Sequence, residues 1–450
     1  MTNYLQSNEQ FVHDNFSCPL QDREPGAYER LYREIDEARF EGYDVSIGTS
    51  PDLAYDNPHK ISEVYDYLQV RDLELAEERR DLIGRRIGGL GVNPWKRSYR
   101  RSRKIYEMLE PTRQRLLFGE DEADARAWHD QRGRATALLT IAYAHMLTSA
   151  GRIDDGTYPT MSGELDESIL EYTFPETAGK FAGMHVSEAI VEAEVCYAGR
   201  TVERAESVAV RRMDELGEFL TAPNSQQFID IVRYCSDSLG IRSRKHEVGQ
   251  LIENHVIEVA ATGERPVRDM LMMSFGCGTA LPMLEVLAEI REATGDCPTL
   301  LLIDQDPVAL AAAAVLAEKM GLKDKIEIHC ERLFDRFGSP LKLDDILNGR
   351  QIDVAEDSGL REYLPDNIYV KLTKETWKHL RDGGLMTTGN MNENRPQKDF
   401  LHGLMGWQPN VQMRKISHGF ALHEKAGIEK GKTKAKATRD GVYTIYFTKK

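Results

Sequence analysis

Cysteine is scarce in this sequence, and its six examples, Cys18, Cys196, Cys235, Cys277, Cys297 and Cys330, form no C-x-x-C pair. That spacing excludes a disulfide framework and a cysteine zinc site, and no metal-binding pattern stands out elsewhere; reduced thiols in a cytoplasmic protein are the expectation. Long apolar runs are also missing. The most apolar window, Ala135 to Leu147, is shorter than a membrane span and lies between Arg134 and Arg152, so it reads as a buried core helix and no membrane span is expected. The opening MTNYLQSNEQ has neither a basic start nor an apolar stretch, so it does not read as a signal peptide. Positive charge is in deficit, with 58 Lys and Arg against 73 Asp and Glu, a net −15. Such a balance argues against a dedicated nucleic-acid binder. One basic cluster runs against the trend, Lys96, Arg97, Arg100, Arg101, Arg103 and Lys104 with Trp95 and Tyr99 between them; it reads as a solvated helix face rather than a phosphate or nucleic-acid site. No internal repeat or low-complexity tract is visible.

What is present is an ordinary soluble composition, 41% hydrophobic and 29% charged over 450 residues, too long for a single core. Residues 1–55 are polar and read as a loop-rich segment. Residues 56–262 carry helical patterns: Val202, Ala205, Ala209, Met213, Leu216 and Leu220 share one face. The run Ala222-Pro-Asn-Ser225 ends that segment, and Phe228, Ile229, Ile231, Val232 and Leu239 continue an apolar pattern as far as Gly240.

From residue 263 to 450 the pattern changes to short apolar runs alternating with helices. The runs are Met270–Ser274, Leu300–Ile303, Ile326–Ile328, Ile352–Val354 and Leu385–Thr388; the helices between them are Leu281–Glu292, Pro307–Met320 and Asn367–Leu380. Alternation of this kind predicts a mostly parallel sheet with helices on both faces, an α/β fold. The β-prone Val442–Phe447 is expected to close it as an antiparallel edge strand. Lys430, Lys432, Lys434 and Lys436 read as a hairpin loop between the last two strands.

The first run leads into Ser274-Phe275-Gly276-Cys277-Gly278-Thr279-Ala280, a strand–glycine turn–helix arrangement suited to close approach of a ligand to backbone. The dinucleotide fingerprint G-x-G-x-x-G would need glycine at Leu281, which weakens a nicotinamide reading. The second run ends Asp304-Gln305-Asp306-Pro307. Asp304 stands at the strand's carboxyl end, where a carboxylate can accept ribose hydroxyls, and Asp306 before proline reads as a helix cap. Further on come Asp353-Val-Ala-Glu356-Asp357-Ser358-Gly359-Leu360, Tyr363-Leu-Pro-Asp366, Gly383-Gly384-Leu385 and Gly389-Asn390.

In that order these motifs resemble class I S-adenosylmethionine-dependent methyltransferases over about residues 265–450. They are most similar to a bacterial subgroup that includes enzymes of the hydroxy-fatty-acid methyl ester type. Ser274 stands where the family commonly has an acid and Ala280 where it has a third glycine, and the subgroup shares both departures. The resemblance implies a Rossmann-like cofactor domain at 263–450 behind a mainly α-helical domain at 56–262 that supplies an acceptor pocket, a homodimer surface or both. It implies S-adenosylmethionine as cofactor, held by Ser274, Phe275, Gly276, Gly278, Thr279, Asp304, Gln305, Asp357, Ser358 and Gly359. Asp357, Ser358 and Tyr363 would lie nearest the chemistry. Asn390, Asn392 and Arg395 would face a small-molecule acceptor, and His402, His418 and His423 are candidate bases. Methyl transfer is the leading expectation. Aminocarboxypropyl transfer or cyclisation with release of methylthioadenosine, as in nicotianamine-synthase-like enzymes, and cofactor binding without turnover are the alternatives.

Overall fold

The computed structural model describes residues 18–49, 57–84, 108, 234–335, 338–398 and 411–450. The expected core helix at 135–147, the basic cluster at 96–104, the amphipathic window at 202–220 and His402 lie outside them.

Two long helices and a short strand come before the strand–helix alternation: α1 (Pro25–Phe40), β1 (Asp44–Ile47) and α2 (Pro58–Gly84). Residues 25–47 therefore correct the loop-rich reading of the first segment. A third helix, α3 (Ser236–Thr262), runs straight through Gly240 and ends on Gly263 in a left-handed conformation. Gly240 does not end the segment because it sits against the turn before the last strand, where an added Cβ would lie 2.5 Å from the Val442 side chain.

Then strands and helices alternate: β2 (Leu271–Phe275), α4 (Leu281–Thr294), β3 (Thr299–Asp304), α5 (Pro307–Lys319), β4 (Ile326–Cys330), β5 (Ile352–Glu356), α6 (Asp366–His379), β6 (Leu380–Met391), α7 (Ile416–Lys425), β7 (Thr433–Ala437) and β8 (Tyr443–Lys449). They form one sheet in the order β1-β7-β8-β6-β5-β2-β3-β4. All neighbouring pairs are parallel except β6 with β8 and β7 with β8.

Successive residues of the central strands serve opposite faces, as the period-two geometry of a strand requires. Met272, Leu300, Leu302, Val354 and Leu385 join the cluster built with α3, α4 and α5. Met273, Phe275, Leu301, Ile303, Ala355 and Met386 join the cluster under α6. Because both faces are covered, β2 and β3 read as continuous apolar runs rather than alternating ones. Among the described residues no helix is long and apolar enough to cross a membrane.

Two expectations at the sheet's far side are corrected. The run ending in Phe447 is an interior strand, with β6 on one side and β7 on the other. The edge is instead β1, from the N-terminal segment, paired in parallel with β7. Lys434 and Lys436 belong to β7 rather than to a hairpin loop. Their chain alternates buried Thr433, Ala435 and Ala437 with the lysines, and the lysines pair with Asp44 at 2.8 Å and Glu247 at 2.9 Å. The turn itself is Thr438–Val442, closed by Thr438 N–H on the Tyr443 carbonyl at 2.8 Å and by Val442 N–H on the Asp440 carboxylate at 2.8 Å.

Candidate functional site at the strand tips

The carboxyl ends of β2, β3 and β5 lie side by side, and the loops leaving them build the site. β2 ends at Phe275, whose ring is fully buried edge-on to Phe334 with centroids 6.2 Å apart. Only the backbone of Phe275 is thus available to a ligand. The chain then turns over the tip of β3: Gly276 and Cys277 N–H both donate to the Ile303 carbonyl, at 2.8 and 3.3 Å. Gly276 and Gly278 have φ of 71° and 53°, in the left-handed region where glycine is at no disadvantage. A Cβ on Gly276 would press to 3.0 Å on Leu360, whereas one on Gly278 would meet nothing within 4 Å. The loop is closely backed at its first glycine and open at its second.

Ala280 holds φ 55°, ψ 15° as the N-cap of α4, the conformation its usual glycine would take without strain. Thr279 is buried beside it, and Leu281, which replaces the last glycine of a dinucleotide loop, is fully buried under the helix. Pro282 occupies the first turn of α4 and removes one of the N–H groups with which a helix N-terminus holds a phosphate.

Asp304 locks this loop to its neighbour. One carboxylate oxygen accepts Gly278 N–H at 2.8 Å and the other accepts Asp306 N–H at 2.9 Å. Burial raises the Asp304 pKa, and the backbone donors oppose the rise. The Gln305 backbone also bonds it, and a carboxylate has about four lone-pair sites, so about one remains for another donor. Gln305 is half-buried at the same tip. Asp306 acts as the cap of α5, accepting Ala309 N–H at 3.4 Å.

At the β5 tip two adjacent acids behave differently. Asp357 is buried, and both its oxygens are taken by Arg361, at 2.7 and 2.6 Å. Burial raises its pKa and the guanidinium holds it down. The expectation that its side chain faces the chemistry is corrected: this carboxylate is half of an internal ion pair. Glu356 is only half-buried. It is the cross-strand neighbour of Ser274, and its Oε2 accepts the Ser274 hydroxyl at 2.6 Å. Its Oε1 accepts Ser358 N–H at 2.6 Å and also the Ser358 hydroxyl. Ser274 and Ser358 thus meet on one carboxylate that the sequence reading gave no role. The signal was in the register, since strands neighbouring in this order put position 274 opposite 356. Gly359 lies near the Arg244 guanidinium, which would be 3.5 Å from an added Cβ, and Tyr363 is half-buried at the end of the following turn.

The residues expected to face an acceptor are buried and bonded within the chain. Asn390 is buried and donates to the carbonyls of Met391 and Gln412 at 2.8 and 3.1 Å while accepting Arg414 at 2.6 Å. Asn392 is buried between the Gly441 carbonyl at 3.0 Å and the Thr444 hydroxyl at 2.6 Å. Arg395 is buried on Asp237 at 3.0 Å and the Ser236 hydroxyl at 3.2 Å. These three tie the β6 loop to β8 and to the start of α3, so polar side chains after a strand tip served packing here. Of the candidate bases, His423 is buried and its pKa falls to about 3 through loss of solvent, with Arg361 adding to the fall. His418 is exposed on Asp366 at 2.8 Å. Burial raises the Cys277 thiol well above its ordinary range, and the charges of Asp304 and Glu356 raise it further. That thiol stays protonated, and its surroundings carry a negative field.

At the opposite end of the sheet, Asp344, Glu375 and His379 bring ligand atoms within 4.8 Å of one another. Lys378 already lies on Asp344 at 2.5 Å, so the group is accounted for as an ion-pair cluster.

The sheet is mixed and mostly parallel, with helices covering both faces. No protein-family model matches the sequence, and no curated protein does. Among solved structures the chain is similar to a possible exported protein from Bordetella parapertussis (18% identity, 71% of this chain and 96% of that one, TM-score 0.40). It is also similar to an O-methyltransferase family protein from Burkholderia thailandensis (14% identity, 74% and 98%, TM-score 0.33). A third is the magnesium protoporphyrin IX methyltransferase from Synechocystis with bound SAH (13% identity, 48% and 87%, TM-score 0.33).

Proposed function

We propose that this protein binds S-adenosylmethionine over the tips of β2, β3 and β5 and transfers its methyl group to a small-molecule acceptor. The observation that carries the reading is the charge around the glycine loop. Two carboxylates, Asp304 and Glu356, flank it, and both act on the Cys277 thiol between them. A pyrophosphate would meet that field as a like charge, and would find a helix N-terminus depleted by Pro282. A cofactor with a sulfonium and an ammonium meets it as an opposite charge. The open space above Gly278 and the remaining lone pair of Asp304 suit a ribose close to backbone.

The bound cofactor supplies an electrophilic methyl group. The residues' part is to orient it, hold its charge and exclude water. At the described tips Asp357 is committed to Arg361, His423 is buried and neutral, and Cys277 is protonated. This favours an acceptor that arrives with its own nucleophile, such as a carboxylate, over one that needs a strong base. Residues 56–262 are assigned to the acceptor pocket, a homodimer surface or both.

The test is product analysis with labelled S-adenosylmethionine and a panel of carboxylate and hydroxyl metabolites. S-adenosylhomocysteine is the expected product. Methylthioadenosine would move the assignment to aminocarboxypropyl transfer or cyclisation. Cofactor binding with no product across the panel would leave a binding protein.

A further inference from the structure

Three buried acids near the tips pair with cations: Asp357 with Arg361, Asp237 with Arg395 and Glu362 with Arg244. Asp304 has no cation, but it is buried and held by backbone N–H groups. Glu356 also lacks a cation and is only half-buried. Its partners are three donors that carry no charge, the Ser274 hydroxyl and the N–H and hydroxyl of Ser358. Among the described residues no Lys, Arg or His lies within ion-pair distance of it. The three donors fix the carboxylate plane, and the residue keeps part of its surface in solvent beside the glycine loop. With Oε1 accepting two donors and Oε2 one, a lone pair on Oε2 remains. A carboxylate held this way and left without a cation is arranged to receive one, since charge-assisted hydrogen bonds are the stronger ones.

We infer that Glu356 is the specificity residue for the ammonium group of the cofactor's amino-acid arm, with Ser274 and Ser358 as the residues that position it. An ammonium fits better than the sulfonium because it brings N–H donors for the remaining lone pair. The assignment rests on the function proposed above.

The experiment is calorimetric titration of the full chain, wild type and Glu356→Gln, with S-adenosylmethionine, S-adenosylhomocysteine and 5′-methylthioadenosine. The last of these has no amino-acid arm. Glu356→Gln is expected to lose affinity for the first two by about 10- to 100-fold, the usual scale for a charged hydrogen bond, and to bind methylthioadenosine as wild type does. Retained methylthioadenosine binding also reports a folded site. Ser274→Ala, which keeps the charge and loosens its aim, is expected to lose about threefold to tenfold on the same two ligands. Unchanged affinity in Glu356→Gln, equal loss for all three ligands, or loss confined to the sulfonium ligand would each overturn the assignment while leaving the proposed function standing. A wild-type protein that binds none of the three would overturn the proposed function, and the assignment with it.

Discussion

Glu356 and Asp357 are consecutive residues, yet one faces the glycine loop and the other is sealed in the core. The alternation of the strand decides this, and Arg361 completes it. Besides Asp357, Arg361 donates to the Tyr369 carbonyl at 3.1 Å and lies 4.4 Å over the Tyr369 ring. The pair therefore pins the tip of β5 to α6. A buried pair of this kind contributes little net stability against an apolar alternative, but losing one partner strands a charge. His423 sits in the same layer and gives a pH prediction. Its folded pKa of about 3 lies below the ordinary 6.5, so the folded state refuses a proton that the unfolded chain accepts. The stability it contributes is complete above pH 6.5 and is lost as pH falls toward 3. By pH 5 the loss is about 2 kcal/mol. Urea denaturation at pH 7 and pH 5 should show His423→Gln losing less stability than wild type by roughly that amount; equal slopes would mean the imidazole titrates normally.

At the scale of elements, the tips of β5 and β6 are fitted to each other through one glycine. A Cβ on Gly389 would stand 2.5 Å from the Ser358 carbonyl oxygen and 3.1 Å from its Cβ, so no larger residue fits without moving the β5 tip. Gly389→Ala is expected to cost about 1–3 kcal/mol of stability, the usual range for overpacking. It should also weaken cofactor binding, because Ser358 moves and Glu356 with it. Thermal melting together with titration checks both; a variant that melts lower yet binds normally would separate the β6 contact from the site. Elements carried by bulky apolar runs were legible in the sequence: β2, β3 and β5 with the helices between them stand within a few residues of their expected places. The element that escaped, β7, buries only Thr433, Ala435 and Ala437 between lysines, so its period-two pattern has almost no hydrophobic contrast. The residues singled out at the ends of β2, β3 and β5 are brought together by the sheet order, but several of their side chains are engaged within the chain. Asn390, Asn392 and Arg395 look like ligand contacts in a sequence. Their partners, Asp237, Gly441 and Thr444, are brought to them only by the packing of α3 and β8.

Across the whole molecule, the sheet is completed from both ends of the chain. β1 pairs with β7 across nearly four hundred residues, and Tyr28 of α1 donates to the Asp440 carbonyl at 2.8 Å. Such pairing leaves no local trace, which is why a four-residue strand in a polar segment reads as loop. The N-terminal residues are thereby part of the same body as the glycine loop. The excess of acid over base, net −15, recurs at the tips as Asp304 and Glu356, the two carboxylates that the proposed function assigns to selecting a cationic ligand. The central claim is that selection, and parallel calorimetric titrations of the wild-type chain with S-adenosylmethionine and with NAD test it most directly. The account predicts saturable binding of S-adenosylmethionine and none of NAD. Tight binding of NAD with no heat from S-adenosylmethionine would contradict it.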